Sequence, residues 1–429
     1  MPAAARAIFE HALAECAIDK AFARNVDYQR GVLRICEDLY DLKSYSRVLV
    51  VSFGKAGHRM AEALSRQTGT LTQGIVVDPS PSPFQAPGYR YFAGGHPQPN
   101  SESVRAAEAI LKSLAALDQN SLALFMVSGG GSAAVECPVD AEIALPDLIA
   151  TYKTLVLSGA PIAQINAIRK HLSAVKGGRM ARAAHPAQQV SILVSDVPED
   201  ALDSLASGPT MPDTSTAEEC HRIATEYKML ESFPASVREL FDRHALEETP
   251  KKDDPAFHRS RWWKILSSET AEQAAADAAL GMGFTVEIDH SCDDWDYARA
   301  TDYLLGRLRN LRIKFERVCL ISGGEVTVKV PPQAGLGGRN QHFALYCARK
   351  IAGEDITVLS AGTDGIDGNS PAAGAVADGT TIARAQAAGL EPEEYFNAFN
   401  SYEFFERLGD TIHIGPTGTN VRDLRILIA

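Results

Sequence analysis

Six polar clusters sit where short apolar runs stop: Gly54-Lys55, Gly95-His96, Ser128 to Ser132, Ser195-Asp196, Gly323-Gly324-Glu325 and Gly362-Thr363-Asp364-Gly365. The runs before them, such as Val48 to Phe53, Ser121 to Val127 and Gln189 to Val194, are predominantly apolar and do not follow a strict period of two. A strand needs that composition only when both of its faces are covered. Stretches with helical spacing fall between the runs, as in Lys55 to Leu64 after the run that ends at Phe53. Strand, glycine turn and helix in repetition predict a mostly parallel sheet with helices on both faces.

The fold class expected is therefore α/β, with two α/β domains built on mostly parallel sheets and the first of them Rossmann-like. The first domain is predicted over residues 1–235 and the second over 255–429. A charged stretch at about 235–260, with Lys251, Lys252, Asp253 and Asp254, serves as a solvated connection. Residues 5–42 read as helical with a break near Asp27, Pro79 to Pro83 as turn, and Val326 to Val330 as a strand. Ligands of open parallel sheets bind beyond the carboxyl ends of the strands. An active-site cleft is expected between the two domains.

Charge narrows the partners. The 429 residues carry a formal net charge of −12, which disfavours nonspecific binding to nucleic acid or to an acidic membrane face. No run of about 18 apolar residues is present, so no membrane span is expected. The N-terminal segment lacks the apolar core of a signal peptide. The seven scattered cysteines include no C-x-x-C pair and read as reduced thiols of a cytoplasmic protein. The chain is expected to be a monomer or homodimer.

Ser128-Gly129-Gly130-Gly131-Ser132 reads as a phosphate cradle, because glycine lets successive N–H groups converge on an anion. No G-x-x-x-x-G-K-[ST] occurs, and the H-R-D and D-F-G elements of protein kinases are missing. Lys55 follows a strand and a glycine, where an anionic ligand would offset the unfavourable placing of a cation at a helix start. Arg339, after Gly335 to Gly338, is suited to bidentate contact with carboxylate or phosphate. Asp196, Asp200, Asp203, Glu325, Asp364 and Asp367 supply acids, and magnesium takes one or two carboxylates with phosphate oxygens and water. His96 stands between Gly95 and Pro97. Taken singly, each has a plain structural reading: a tight turn, a solvated lysine, a surface ion pair, a capping aspartate, a histidine that anchors a loop.

Read together, the motifs resemble a known family. Ser52-Phe-Gly-Lys-Ala-Gly57, Gly95-His-Pro-Gln-Pro99, Ser128 to Ser132, Asn166-Ala-Ile-Arg-Lys-His-Leu-Ser173, Lys176-Gly-Gly178 and Ala206-Ser-Gly-Pro-Thr210 resemble the N-terminal domain of glycerate 2-kinases. Gly323-Gly-Glu325, Gly337-Gly-Arg-Asn-Gln341, Gly362 to Gly368 and Gly415-Pro-Thr-Gly-Thr-Asn420 resemble their C-terminal MOFRL domain. The resemblance implies transfer of the γ-phosphoryl group of ATP, with magnesium, to the C2 hydroxyl of D-glycerate. It implies essential positive charge at Lys55 and Arg339 and polar positions at Asp196, Glu325, Asp364 and Asn420. Asp196 is expected to handle the hydroxyl proton, His96 to face the substrate, and Asp196 and Asp364 to hold the metal. A kinase of another small hydroxy-acid is one alternative. An NAD(P)H-dependent hydroxypyruvate reductase is another, although the G-x-G-x-x-G fingerprint it needs is lacking.

Overall fold

The computed structural model describes residues 1–69, 72–80 and 85–429. Pro81 to Pro83, part of the expected turn, lie outside the described residues. The chain forms two compact units, Ala21–Ile265 and a second assembled from Met1–Lys20 with Leu266–Ala429. The second unit thus takes in the N-terminal helix Pro2–Glu15, where contiguous halves were expected.

The Ala21–Ile265 unit opens with β1 (Val26–Gln29), β2 (Val32–Ile35) and β3 (Asp38–Asp41), an antiparallel three-stranded sheet. Helix was expected there. Arg30 (φ 53°) and Gly31 (φ 99°) make a turn with two successive positive φ angles, the geometry that matches the twist of a two-residue hairpin. The main sheet follows: β4 (Arg47–Phe53), β5 (Gln73–Val77), β6 (Tyr89–Phe92), β7 (Ser121–Ser128), β8 (Gln188–Val194) and β9 (Ser260–Leu266), in the order β6-β5-β4-β7-β8-β9. β4 to β8 are parallel throughout, as their apolar runs predicted. Val51, Phe53, Phe125 and Val127 pack against Ile110 and Leu114 of the helix Ser101–Leu114. Asn100 caps that helix in a reciprocal pair with Ser103. The stretch expected as a solvated connection packs down instead: Thr249 is buried and donates to Asp213, and β9 edges the sheet.

In the second unit, β10 (Thr285–Ile288), β11 (Val318–Gly323), β12 (Thr357–Gly362), β13 (Gly374–Asp378), β14 (Thr411–Ile412) and β15 (Asp423–Ile428) take the order β10-β11-β15-β12-β13-β14. Only β10 and β11 pair in parallel here; the other four pairings are antiparallel. The expectation of a mostly parallel second sheet is corrected on this point. β15 inserts between β11 and β12, and these three strands are buried along their whole length, as the central strands of a parallel sheet are. Ile8 and Phe9 of the first helix share a core with Ala275 of the helix Ser268–Gly281 and with Leu359 and Ile426. Val326 to Val330 form no strand; Thr327 makes one isolated bridge to Asp296. Among the described residues no helix is long and apolar enough to cross a membrane, and no disulfide joins any of the seven cysteines.

Candidate active site

At the carboxyl end of the parallel sheet, the turns after β4, β7 and β8 fit into one another. Lys55 N donates to Gly129 O at 2.8 Å, and Ala56 N donates to Ser128 Oγ at 3.0 Å. Gly54 has φ 107°, and a Cβ there would overlap the Ser128 backbone. A Cβ on Gly129 would overlap the Asp196 carboxylate, so the glycine is what admits Asp196 to the loop. Gly130, at φ 78°, passes so close that its Cβ would lie 3.0 Å from Lys55 Cγ and 3.4 Å from His96 Nδ1. Ser132 Oγ lies 2.5 Å from Ser207 Oγ. His96 is brought in by the loop after β6, where Gly95 N donates to Ser103 Oγ at 2.9 Å. Burial, and then the Lys55 ammonium, hold the His96 pKa below its ordinary value. Lys55, His96, Asp196 and the Ser128 to Ser132 loop, scattered in sequence, thus form one cluster.

The second unit gathers a different set. Arg339 opens the helix Arg339–Lys350. Its Nε donates to Asp423 Oδ2 at 2.5 Å, and its terminal nitrogen reaches Asp423 Oδ1 at 3.1 Å and Glu325 Oε1 at 2.7 Å. Burial, and then the Asp423 charge, raise the Glu325 pKa, against the pull of Arg339. Beneath the helix start, buried Asp367 accepts from Asn340 N at 3.1 Å and Gln341 N at 2.8 Å. Burial pushes its pKa up to about 7, although those N–H groups favour the charged form. Glu325 N donates to Asp293 Oδ1 at 3.0 Å, and Asp293 pairs with both terminal nitrogens of Arg422 at 2.5 and 2.6 Å. Arg339, Glu325, Asp364 and Asp367 line a cavity of about 690 Å³.

Of the residues singled out in the sequence, Glu325, Arg339 and Asp364 come together at this cavity. Asn420 is not among its lining residues; its side-chain oxygen accepts from Arg422 N at 2.9 Å and shapes the entry to β15. Asp200 and Asp203 fall in the turn segment Glu199–Ser207, and Asp203 binds Lys170 at 3.1 Å. Asp423, Asp293 and Arg422 were missed. The signal was the pair of opposite charges Arg422-Asp423 at the start of the short run Leu424 to Ile428, in which Arg425 is the one polar residue. Among the described residues no group of three or more His, Cys, Asp or Glu side chains is placed to hold a metal ion unaided.

The lysine, histidine and aspartate stand around a glycine loop at the carboxyl end of a parallel sheet, the place where open α/β sheets bind their ligands. Comparison with known proteins gives the family. Residues 4–242 match a domain of unknown function, DUF4147, and residues 318–423 match the MOFRL family. The chain is 36% identical to the D-glycerate 2-kinase of Thermotoga maritima, across 89% of this chain and 90% of that protein. It is 35% identical to a putative hydroxypyruvate reductase of Agrobacterium vitis, across 89% and 87%. The crystal structure of the Thermotoga maritima glycerate kinase matches with a TM-score of 0.86 at 32% identity, covering 99% of this chain and 98% of that one. The chain belongs to the glycerate kinase family.

Proposed function

We propose that the protein is a glycerate 2-kinase, a phosphotransferase with an alcohol acceptor that moves the γ-phosphoryl group of ATP to the C2 hydroxyl of D-glycerate, giving 2-phospho-D-glycerate and ADP. The observation that carries this reading is the gathering of Lys55, His96 and Asp196 around Gly129 and Gly130, in a chain 36% identical to a D-glycerate 2-kinase. The triphosphate lies along Ser128 to Ser132, where the absence of side chains lets backbone N–H groups approach phosphate oxygens. Lys55 carries positive charge to the transferring group. In the other unit Arg339 carries a charge suited to phosphate or carboxylate, with Asp423 keeping its guanidinium oriented. Asp196 orients the C2 hydroxyl and takes its proton as the new O–P bond forms and the bond to the β-phosphate oxygen breaks. His96, held mainly neutral, faces the acid substrate.

In the Ala21–Ile265 unit Asp196 is the carboxylate that would hold magnesium, and Asp364 is a separate candidate in the other unit. The placing of Asp196 against the glycine loop suits a cation that binds one or two carboxylates together with phosphate oxygens. Such an ion would neutralise charge on the β- and γ-phosphates.

The test is ADP release against a panel of C3 and C4 hydroxy-acids, with the position of the product phosphate read by phosphorus NMR. Fastest turnover with D-glycerate and a C2 phosphate are expected. A C3 phosphate would overturn the regiochemistry, and preference for another acid would overturn the substrate. Oxidation of NADH by hydroxypyruvate without ATP would replace the kinase reading with a reductase.

A further inference from the structure

The mechanism above leaves one cation unused. Arg169 lies on the helix Ile162–His171, within the Asn166 to Ser173 motif. Its guanidinium carbon sits 5.2 Å from the centroid of the Tyr152 ring. Its Nε is buried without a hydrogen-bond partner, and no acceptor engages the rest of the guanidinium among the described residues. The neighbouring carboxylate, Glu136, is already saturated. Its Oε1 accepts from Ser173 Oγ at 2.6 Å and Cys137 N at 2.9 Å, while its Oε2 accepts from Tyr152 OH at 2.7 Å and from Lys176 Nζ. Glu136 and Lys176 are both buried and cancel each other's charge. The positive charge of Arg169 is left over.

Arg169 borders a cavity of about 330 Å³. The same cavity is lined by Ser132 of the glycine loop and by Pro97, the neighbour of His96, so it adjoins the cluster around Lys55. Ile149, Val156 and Ala133 give it an apolar wall. A guanidinium with unpaired donors in such a place favours an anion, because a partly desolvated donor left unpaired is costly. The glycine loop already offers backbone N–H groups to phosphates. The flat fork of an arginine matches the two oxygens of a carboxylate.

We infer that Arg169 binds the carboxylate of the acid substrate in this cavity. The inference rests on the kinase reading and names the residue that recognises the charged end of the acceptor. It also separates two tasks: Lys55 serves the phosphoryl group, and Arg169 serves the acid.

The test uses Arg169→Met, which keeps an apolar stem beside Tyr152, and Arg169→Lys, which keeps the charge without the fork. In the methionine variant KM for D-glycerate should rise about 10–100-fold, the loss of hydrogen bonds to a charged partner. KM for ATP should stay within about 3-fold in both variants. The lysine variant should fall between the methionine variant and wild type. Calorimetric titration of D-glycerate into the full chain should show the same order of affinities without depending on turnover, and thermal unfolding should show each variant folded. An unchanged KM and affinity for D-glycerate in the methionine variant would overturn the inference. So would a rise confined to KM for ATP, which would assign the cation to a nucleotide phosphate. If wild type binds D-glycerate without phosphorylating it and Arg169→Met loses that binding, the carboxylate site stands and the kinase reading falls.

Discussion

Lys55 and Arg339 carry the same charge and are held in opposite ways. Lys55 stands beside a glycine loop, with its backbone tied to Gly129 and no ion-pair partner for its ammonium among the described residues. Arg339 is engaged by two carboxylates, Asp423 and Glu325. The parallel sheet thus presents an ammonium that no ion pair holds in place among the described residues. The mixed sheet presents a cation whose direction is fixed, at the cost of partial neutralisation. The difference follows from topology. Parallel strands end together, so their turns interlock and small residues dominate. In the second sheet antiparallel β15 begins at the edge where β11 and β12 end, and this places Asp423 opposite Gly362.

Lys55→Ala should lower turnover most, by about 10³-fold, with little change in Tm, because no ion pair is lost. Near-normal turnover would remove Lys55 from the chemistry. Arg339→Ala should lower turnover by about 10²-fold and, unlike the lysine variant, also destabilise the fold. It leaves Asp423 buried without its cation. The cost should be about 1–3 kcal/mol, below that of breaking a fully buried pair because Arg339 is partly exposed. Parallel thermal melts of the two variants read this contrast directly, and equal Tm values would erase it.

Gly130→Ala should have a smaller effect, about 10-fold in kcat/KM. Its left-handed φ of 78° costs an L-residue about 1–2 kcal/mol, and the new methyl presses on the Lys55 stem. Asp367→Asn should change least, and its effect should appear in pH dependence. The folded-state pKa of Asp367 is raised to about 7 from 3.8. Its contribution to stability is therefore full below about pH 4 and is lost as pH rises towards 7. The variant should lack that loss, so its Tm relative to wild type should improve between pH 5 and 8. A parallel pair of Tm curves would show that Asp367 does not titrate there.

Much of the first unit was legible because glycine-rich turns at strand ends report backbone constraints directly. Gly54, Gly129 and Gly130 each occupy a place where a side chain would collide. The second unit was less so. A mainly apolar strand such as Leu424 to Ile428, with Arg425 its one charge, carries no mark of direction when both faces are covered, so its antiparallel, central place could not be read. The partner of Arg339 was hidden for the same reason, since Asp423 gains meaning only once β15 lies beside Gly362. Residues 26–41 misled because their strands are four residues long, too short to show a period against the helices before them. Arg169 was visible as part of a motif. Its solitude was not, because it depends on Glu136 being fully occupied by four donors.

The central place of β15 also bears on how the molecule comes into being. During synthesis the Ala21–Ile265 unit has all its strands once residue 265 has emerged, apart from the final residue of β9, and can fold as the ribosome continues. The other unit cannot. Its first helix, Pro2–Glu15, is made before the Ala21–Ile265 unit and must wait for the segment Ser268–Gly281. Its sheet stays split between β11 and β12 until residues 423–428 arrive to join them. Contacts of such long sequence separation form slowly. The helix that waits exposes Ile8 and Phe9 in the meantime, which makes this segment the part of a nascent chain with most need of a chaperone.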